Sequence, residues 1–481
     1  MAGLSAISFK SAVKITDLAY LVAPHRRPYR LQPVIGSIIL RFVIASIAMV
    51  GAMLVGGLIP DMGAAAVAQV DHQQTSIDPA QYGAVGDGIA DDATALAHAF
   101  AAAAALRAPV VLRLGKTYLV SVELTLPAGL TIIGNGAAIK AKAGARIAGA
   151  LLRGTGVSNV SIRTLEVDAN ATNAGANYGI WLTGGSGHVI EDVYVHDTAQ
   201  GGILFEELTR SAIRGGRVVD CGRALGVGGG TATNNHGIMI FTNTDNANVS
   251  DIEVSGVTIE NAYRKGITTY SGSTGTVSNV TIRGNRIRNS GLPLSSGGGI
   301  YVANAPSGAV QSHLNILGNV LSGNYVNIEV ANLRHGRMAN NVATGSAASN
   351  IEINQVEDLS VTGNTISDSG VHGIACIAPS GRNRAITISG NTIRRSNRHA
   401  AGFGAGLWLL NTVESRVAGN TIDDRSAKMS HGIIEQGTSG HNVIKGNAVS
   451  NATFANYTLA GAITALPVSP ARAGGNAQGR R

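Results

Sequence analysis

Apolar and polar residues alternate in short runs along most of this chain, as in VSNVTI at 277–282. Alternation with a period of two residues is the pattern of a β-strand that buries one face. Gly and Asn interrupt the runs at short intervals, and the units between them leave no room for a long helix. The chain is therefore predicted to consist of many short strands.

A glycine followed by an aliphatic residue recurs among these runs. The pair occurs at Gly179-Ile180, Gly202-Ile203, Gly237-Ile238, Gly266-Ile267, Gly299-Ile300, Gly373-Ile374, Gly406-Leu407 and Gly432-Ile433, and Asn327-Ile328 and Asn350-Ile351 fill the same slot. The mean spacing of the slots is about 28 residues. A fixed period of about 20–50 residues indicates stacked repeats rather than one globular core.

A Gly-Asn segment forms the second half of the repeat, at 284–287, 318–321, 363–366, 390–393 and 419–422. Gly and Asn tolerate the positive φ of tight corners, and stacked Asn side chains can form a hydrogen-bonded ladder. We prefer this structural explanation of the segment to a catalytic one. Coils of two or three strands with such corners predict an all-β fold, a single-stranded right-handed parallel β-helix.

The segment before the repeats supports this prediction. An Ala-rich stretch at 91–106 predicts a short N-terminal capping helix, which a solenoid needs to cover its open end. The run QYGAVGDGIADDATAL at 81–96 resembles the opening of the pectate lyase superfamily, typically D-[FY]-G-A-x-G-D-G-x-x-D-D-T-x-A-[IL]. The resemblance implies the parallel β-helix, export from the cell and polysaccharide chemistry.

The catalytic signatures of that superfamily are mostly absent from the sequence. Asn243-Thr244-Asp245 matches the first motif of the pectin hydrolases, but no G-H-G motif follows it. The D-P-H triplet of the alginate epimerases is missing as well. Lyases, hydrolases, epimerases and phage tailspikes share the architecture, so the resemblance does not choose among these activities.

The chain is divided into four parts by composition. Residues 1–68 hold an uncharged apolar run at 42–59 behind basic residues, followed by an A-x-A-like site, which predicts an export signal or, if uncleaved, a membrane anchor. The N-terminal cap is placed at 77–110, the β-helix at 111–452 and a disordered tail at 467–481. We expect a periplasmic or secreted bacterial protein, in contact with a membrane only if the signal is retained.

The net charge of +8 lies mostly outside the repeats. The segment 69–466 carries a net charge of only +1, because the two ends hold nine of the 37 basic residues. This distribution gives no electrostatic footprint for nucleic acid. The expected partner is a polysaccharide, and the sequence does not indicate an oligomeric state.

Equivalent positions of successive coils lie above one another, about 4.8 Å apart. If the aliphatic residue of each slot points inward, the residue directly after it points outward. The residue before the glycine and the residue three positions after the aliphatic one point outward as well. These three outward columns collect both tryptophans and several tyrosines with isolated charges. Rings and scattered polar groups along a groove suit a polysaccharide.

Two candidate sites follow from the columns. The first holds the catalytic candidates Lys265, His236, Tyr270 and Glu206, with Trp181, Tyr301, Trp408 and His372 as substrate-binding candidates. Elimination or epimerisation of a uronate needs a cation at the carboxylate, which Lys265 offers, and an acid and a base, which His236 or Tyr270 offers. The alternative is that these are ordinary solvated surface side chains.

The second candidate site is the pair Glu329 and Glu352, one coil apart in one column. Carboxyls about 5 Å apart fit a retaining glycosidase, and the same pair fits a Ca²⁺ site. No cofactor is certain from the sequence, and Ca²⁺ is the one candidate. From both candidate sites we predict a carbohydrate-active enzyme, and a lyase or epimerase rather than a hydrolase. One alternative is a non-catalytic protein of the cell envelope that binds or scaffolds polysaccharide. The other is a protein similar to a phage tailspike.

Overall fold

The computed structural model describes residues 76–460, except 174, 223–234, 293–294, 305–308, 399–402 and 427. The predicted export segment 1–68 and tail 467–481 lie outside the described residues. Three parallel sheets of 14, 13 and 14 strands dominate the described part. The chain passes through the sheets in turn once per coil, so the predicted all-β parallel β-helix is confirmed.

We number the sheets I, II and III. Sheet I contains Asp87–Asp91, Thr117–Val120, Ala138–Ala141, Glu166–Asp168, Tyr194–His196, Arg217–Val219, Thr258–Glu260, Arg286–Arg288, Val320–Ser322, Val342–Thr344, Thr365–Ser367, Thr392–Arg394, Thr421–Asp423 and Ala448–Ser450. Sheet II contains Leu124–Thr125, Ile147–Thr155, Ala176–Thr183, Ile203–Glu206, His236–Thr242, Lys265–Ser271, Gly298–Asn304, Val326–Ala331, Ile351–Asn354, Ile374–Ile377, Ala405–Leu410, His431–Gln436 and Ala455–Thr458. Sheet III contains Val110–Val111, Thr131–Ile133, Ser161–Arg163, Val189–Glu191, Thr209–Arg214, Asn248–Ser255, Thr276–Arg283, Val310–Leu317, Leu333–Ala339, Glu357–Thr362, Asn383–Ser389, Thr412–Val413, Arg416–Ala418 and Val443–Lys445.

The predicted cap is the α-helix Ala93–Leu106, preceded by a 3₁₀ turn at Pro79–Tyr82. Leu96 and Phe100 on this helix are fully buried in the core. The N-cap residue Asp92 does not cap the helix with its side chain but accepts hydrogen bonds from the amides of Val85 and Gly86. The carboxylate thereby ties the incoming loop to the helix start, which is a structural role.

After the cap, the coil strands begin at Val110, one residue before the predicted 111–452, and end at Thr458, six residues after it. A second 3₁₀ turn lies at Ala171–Asn173. In the part of the chain that the structure describes, no helix combines the length and hydrophobicity that a membrane crossing requires.

The slot aliphatics fill the core, as predicted, and lie in register from Ile180 through Ile203 and Ile238 onward along sheet II. The glycines directly before the slot aliphatics, which we call the corner glycines, do not have positive φ. They are required by close approach: a Cβ on Gly202 would lie 2.5 Å from the carbonyl oxygen of Gly237 in the next coil. The corner therefore demands glycine because two coils touch there.

The Gly-Asn segments behave as predicted. Gly284, Gly318 and Gly390 have φ values of about +60°. The asparagines are buried and form one continuous ladder, whose members are Asn285, Asn319, Asn341, Asn364, Asn391, Asn420 and Asn447. The side-chain oxygen of each later member accepts hydrogen bonds from the backbone and side-chain N–H groups of the member before it. The ladder satisfies buried backbone donors that the corner leaves without strand partners.

Replacing a corner glycine tests this account. Gly202→Ala should destabilise the protein by about 1–3 kcal/mol, because the new methyl overlaps the Gly237 carbonyl and the Val218 side chain. Gly440→Ala is the matched control, since its Cβ meets nothing within 4 Å and its φ is ordinary. Urea unfolding measures both variants, and equal midpoints for the two would contradict the contact explanation.

Candidate functional site

The outward columns of sheet II have the predicted register. One column runs Trp181, Leu204, Met239, Thr268, Tyr301, Glu329, Glu352, Ala375, Trp408 and Ile434. The expectation that the columns are exposed is wrong for several members. Tyr178, Leu204, Met239 and Phe241 form a second small hydrophobic cluster outside the coil, with Trp181 and Tyr270 packed against it.

Three cationic or ionisable groups lie together beyond this apolar cluster. Lys265 is 8% exposed and His236 is 3% exposed, and they are register partners on adjacent strands. Burial and then the charge of Arg264 lower the pKa of Lys265 to about 7, against the opposing effect of Glu329. Burial, with the charges of Lys265 and Arg264, holds the pKa of His236 well below its usual range. His236 is therefore neutral at neutral pH, and its Nδ1 lies 3.3 Å from the Thr268 hydroxyl.

Tyr301 lies one coil further along, between the cations and the acids. The Lys265 Nζ is 3.2 Å from the centre of the Tyr301 ring, a cation–π contact. Burial and then the charge of Glu329 raise the pKa of Tyr301 above its usual range. The phenol is thus protonated at neutral pH and is a proton donor.

Glu329 and Glu352 follow as direct register partners on adjacent strands. Burial and then the neighbouring Glu352 raise the pKa of Glu329 to about 7, while Lys265 acts in the opposite direction. Burial also raises the pKa of Glu352, opposed by a hydrogen bond from Ser349. The Tyr325 phenol is close enough to both carboxylates for their charges to raise its pKa, after burial.

The two candidate sites predicted separately thus meet in one cluster. We call it the Lys265–Glu352 site and define it by His236, Arg264, Lys265, Tyr301, Glu329 and Glu352. A lysine and a carboxyl that both titrate near neutrality are the groups that general acid–base chemistry at that pH uses. Both shifts cost folding stability, which is typical of functional sites.

The remaining N-terminal candidates lie apart from this site. The guanidinium of Arg153 covers one face of Trp181 at 3.6 Å, and Tyr178 contacts the ring at its edge. The Trp181 Nε1 donates to Glu206 at 2.9 Å, and the Thr183 hydroxyl donates to the same carboxylate oxygen. Glu206 therefore orders this end of the face rather than joining Lys265, and its catalytic role stays a prediction.

Tyr270 occupies the outward column that also holds Glu206 and Phe241. It packs against the apolar cluster, and burial raises the pKa of its phenol.

His372 and Trp408 lie on the other side of the site and contact each other, with ring centres 4.8 Å apart. They belong to a longer aromatic stripe that also includes Phe403, His431 and Phe454.

The predicted Ca²⁺ site has a limited set of donors. Two carboxylates and the Ser349 hydroxyl supply fewer oxygens than the six to eight or so that Ca²⁺ takes. Lys265 is also close enough to act on Glu329 and competes with a cation there. Ca²⁺ at this pair therefore stays a hypothesis, and it would need water or substrate oxygens to complete its shell.

A second titratable cluster lies on sheet I, where Glu166, Asp168 and His196 place ligand atoms within 4.8 Å of one another. The Lys140 Nζ already pairs with Asp168 at 2.6 Å, and His196 Nε2 lies 3.2 Å from Glu166. These side chains already bond to one another, and we assign no ligand to the cluster.

Sequence reasoning missed Arg264, Tyr325, Phe403 and Phe454. All four lie in the turns that lead into sheet II, outside the three columns that the repeat defines. A signal was present for Phe403, since aromatic residues are only 4% of the chain and this one lies just before the slot Gly406-Leu407.

The family described as right-handed β-helix region matches residues 148–308 and 240–422. Together these matches cover more than half of the chain. The chain belongs to the right-handed β-helix family. The predicted handedness and the resemblance to pectate-lyase-like proteins are therefore confirmed. A search of curated protein sequences gives no significant match.

Solved structures of other β-helix proteins resemble this one in fold. Tailspike protein 3 of bacteriophage CBA120 is 14% identical over 82% of this chain and 62% of its own, with a TM-score of 0.55. The surface protein and adhesin PfbA of Streptococcus pneumoniae is 17% identical over 82% of this chain and all of its own (100%), with a TM-score of 0.51. A tailspike of Escherichia coli bacteriophage HK620 is 12% identical over 81% of this chain and 80% of its own, with a TM-score of 0.50. At these identities the likeness shows the fold alone.

The raised pKa of Glu329 predicts a pH-dependent stability difference. At about pH 4 the carboxyl is protonated in the folded and unfolded states alike. As pH rises toward 7, the unfolded state ionises first, so the folded state loses stability, and the loss is complete above about pH 7. Glu329→Gln removes this loss and should raise the melting temperature by on the order of 2 °C at about pH 8.

The gain should vanish near pH 4, where both side chains are neutral. Glu357→Gln is the matched control, because Glu357 is an exposed glutamate on sheet III. Calorimetry at several pH values measures the effect. A Glu329→Gln gain that does not change with pH would contradict the raised pKa of Glu329.

Proposed function

We propose that this chain is an exported carbohydrate-active protein that acts on a uronate-containing polysaccharide by proton transfer at C5, as lyases and epimerases do. The Lys265–Glu352 site is the observation that supports this most. It places two cations, a protonated phenol and two carboxyls of raised pKa on one outward face. These are the groups that removal of a proton beside a carboxylate requires.

The charge of each residue in the Lys265–Glu352 site determines the role that we assign to it in the reaction. Lys265 and Arg264 bind and neutralise the uronate carboxylate, which makes the C5 proton more acidic; a bound anion also keeps Lys265 protonated. Glu329, with a pKa of about 7, is the base in its ionised form. Tyr301 is the acid, because its raised pKa keeps the phenol protonated. His236 and Tyr270, the acid–base candidates from the sequence, lie beside this set as positioning residues.

The reaction is balanced with these groups alone. The C5–H bond breaks, its proton goes to the Glu329 carboxylate, and the electron pair is stabilised by the neutralised uronate carboxylate. In elimination a C4–C5 double bond forms, the C4–O4 bond breaks, and Tyr301 protonates the leaving oxygen. In epimerisation Tyr301 instead returns a proton to the opposite face of C5. Solvent then restores Tyr301 and Glu329.

A non-catalytic polysaccharide-binding protein is the second candidate. The absence of the superfamily's known catalytic motifs favours it, and so does the exposed aromatic stripe beyond the site. PfbA, whose fold is similar, is described as a surface adhesin. The HK620 tailspike is described in complex with a pentasaccharide, so a protein of this fold can hold an oligosaccharide.

Substrate turnover by the full-length chain distinguishes the two candidates. The protein is incubated with a panel of uronate polysaccharides, with and without Ca²⁺. Unsaturated ends, reducing ends and solvent proton exchange at C5 are followed. We expect either unsaturated non-reducing ends that are matched one for one by new reducing ends, or C5 exchange without chain cleavage; new reducing ends without unsaturated ends would indicate a hydrolase. Binding to the panel with no turnover of any member would reject the enzyme and leave the binding protein.

The pH profile tests the assigned roles. Activity should follow a bell-shaped curve near pH 7, because it needs ionised Glu329 and protonated Lys265. Lys265→Met should reduce turnover by about a hundredfold or more. Lys265→Arg should restore part of it and move the alkaline limb upward, since arginine keeps its charge. Lys445→Met, on the strand Val443–Lys445 of sheet III, is the control and should leave turnover unchanged. If the alkaline limb of the Lys265→Arg profile does not move, the role assigned to Lys265 is wrong.

A further inference from the structure

The aromatic stripe is continuous over four successive coils. It consists of His372, Phe403, Trp408, His431 and Phe454. The ring centres of His372 and Phe403 are 5.3 Å apart, those of Phe403 and Trp408 are 5.1 Å apart, and those of His431 and Phe454 are 5.0 Å apart. Three coil steps give a length of roughly 14 Å. The stripe is therefore long enough for several sugar rings.

Part of the stripe faces solvent. Phe454 is 78% exposed and Phe403 is 38% exposed. Among the large apolar side chains that are exposed in the described part of the chain, these two are the only aromatic ones. A contiguous exposed aromatic patch marks a binding surface more often than chance exposure. Trp181 differs, because Arg153 stacks on its ring.

The stripe carries no charge at neutral pH. Burial lowers the pKa of His372 to about 4, and its Nδ1 accepts a hydrogen bond from the Ala405 amide. Burial also lowers the pKa of His431. The outward columns that flank the stripe contain no lysine or arginine among the described positions Ser349, Glu352, Asn354, Ala375, Ile377, Ala405, Leu410, Ile434, Gln436, Ala455 and Thr458.

The stripe continues directly from the Lys265–Glu352 site. Glu352 pairs with Ala375, and Ala375 pairs with Trp408. One polymer chain lying along the columns would therefore pass from the acidic and cationic groups onto the rings within about two coils, or roughly 10 Å. Lys265 and Arg264 lie at the start of this path, whereas the outward columns along the rest hold no lysine or arginine at the described positions. Arg398 and Lys428 lie in the turns that lead into sheet II and not on the columns.

We propose that the stripe binds uncharged sugar units of the same polymer whose uronate occupies the Lys265–Glu352 site, so that the substrate is an acidic heteropolysaccharide in which neutral sugars separate the uronates. This inference rests on the proposed function. Sugar C–H faces stack on aromatic rings and need no cation. A carboxylate held against the same rings would be desolvated without a partner, which is costly. A homopolymer of uronates therefore fits the stripe poorly.

The two tryptophans of the chain allow a direct binding test, because one lies in the stripe and the other does not. Trp181→Phe leaves Trp408 as the only tryptophan, and Trp408→Phe leaves Trp181. The full-length variants are titrated with neutral gluco-oligosaccharides and with oligogalacturonates of matched length. We expect the neutral sugars to change the Trp408 emission, with oligogalacturonates about fivefold weaker or more, and no response of Trp181 to the neutral sugars.

Variants of the stripe refine the result. Phe454→Ala should weaken neutral-sugar binding by about fivefold, whereas Val443→Ala, an exposed apolar residue on sheet III, should not. If no neutral sugar changes the Trp408 emission, the inference is wrong, and the stripe would bind something else, such as a second copy of the chain. Equal binding of oligogalacturonates would also overturn it.

Turnover separates this inference from the proposed function. Polygalacturonate is compared with deacylated gellan, in which neutral sugars separate the glucuronates. Preference for gellan, with KM but not kcat raised by Phe454→Ala, supports both proposals. Preference for polygalacturonate, with KM unaffected by Phe454→Ala, overturns the inference alone. If neither polymer is turned over, the catalytic proposal fails, and the Trp408 titration still decides whether the stripe binds neutral sugars.

Discussion

Contact between successive coils is the constraint on which the rest of this structure depends. At the corners of sheet II the backbone of one coil lies so close to the next that a single added methyl group would overlap a carbonyl oxygen. The asparagine ladder joins the same coils on another side, with buried amides bonded in series. Together these contacts fix the register, and a fixed register lets side chains far apart in sequence form one column.

The Lys265–Glu352 site follows from that register. Lys265 and Glu352 are separated by several dozen residues, yet the stack brings their coils within a few strand spacings. The apolar cluster of Tyr178, Leu204 and Met239 borders the site along the same outer face of sheet II. Burial then shifts the pKa values of the lysine and the carboxyls toward one another. The scaffold thus supplies both the placement and the low polarity on which the proposed chemistry depends.

The repeat made the fold predictable, because each slot aliphatic reports the inward face and its neighbour the outward face. The same rule places Lys265, Tyr301, Glu329 and Glu352 in their columns from the sequence alone. The rule does not predict which outward side chains are buried. Leu204 and Met239, for example, occupy outward positions of their strands but pack into an apolar cluster outside the coil. The rule also could not place Arg264, Phe403 or Phe454, because turn residues have no period and the path of each turn depends on its own contacts.

The asparagine ladder has a mechanical consequence. Its bonds run from coil to coil along the stack, and each coil from Asn285 to Asn447 is held to the next by the same kind of bond. Tension applied to the two termini would therefore load the end coils first and peel them one at a time, while the interior coils stay intact. The stack would in this way yield in small steps and dissipate force, and the Lys265–Glu352 site would be the last part to be disturbed.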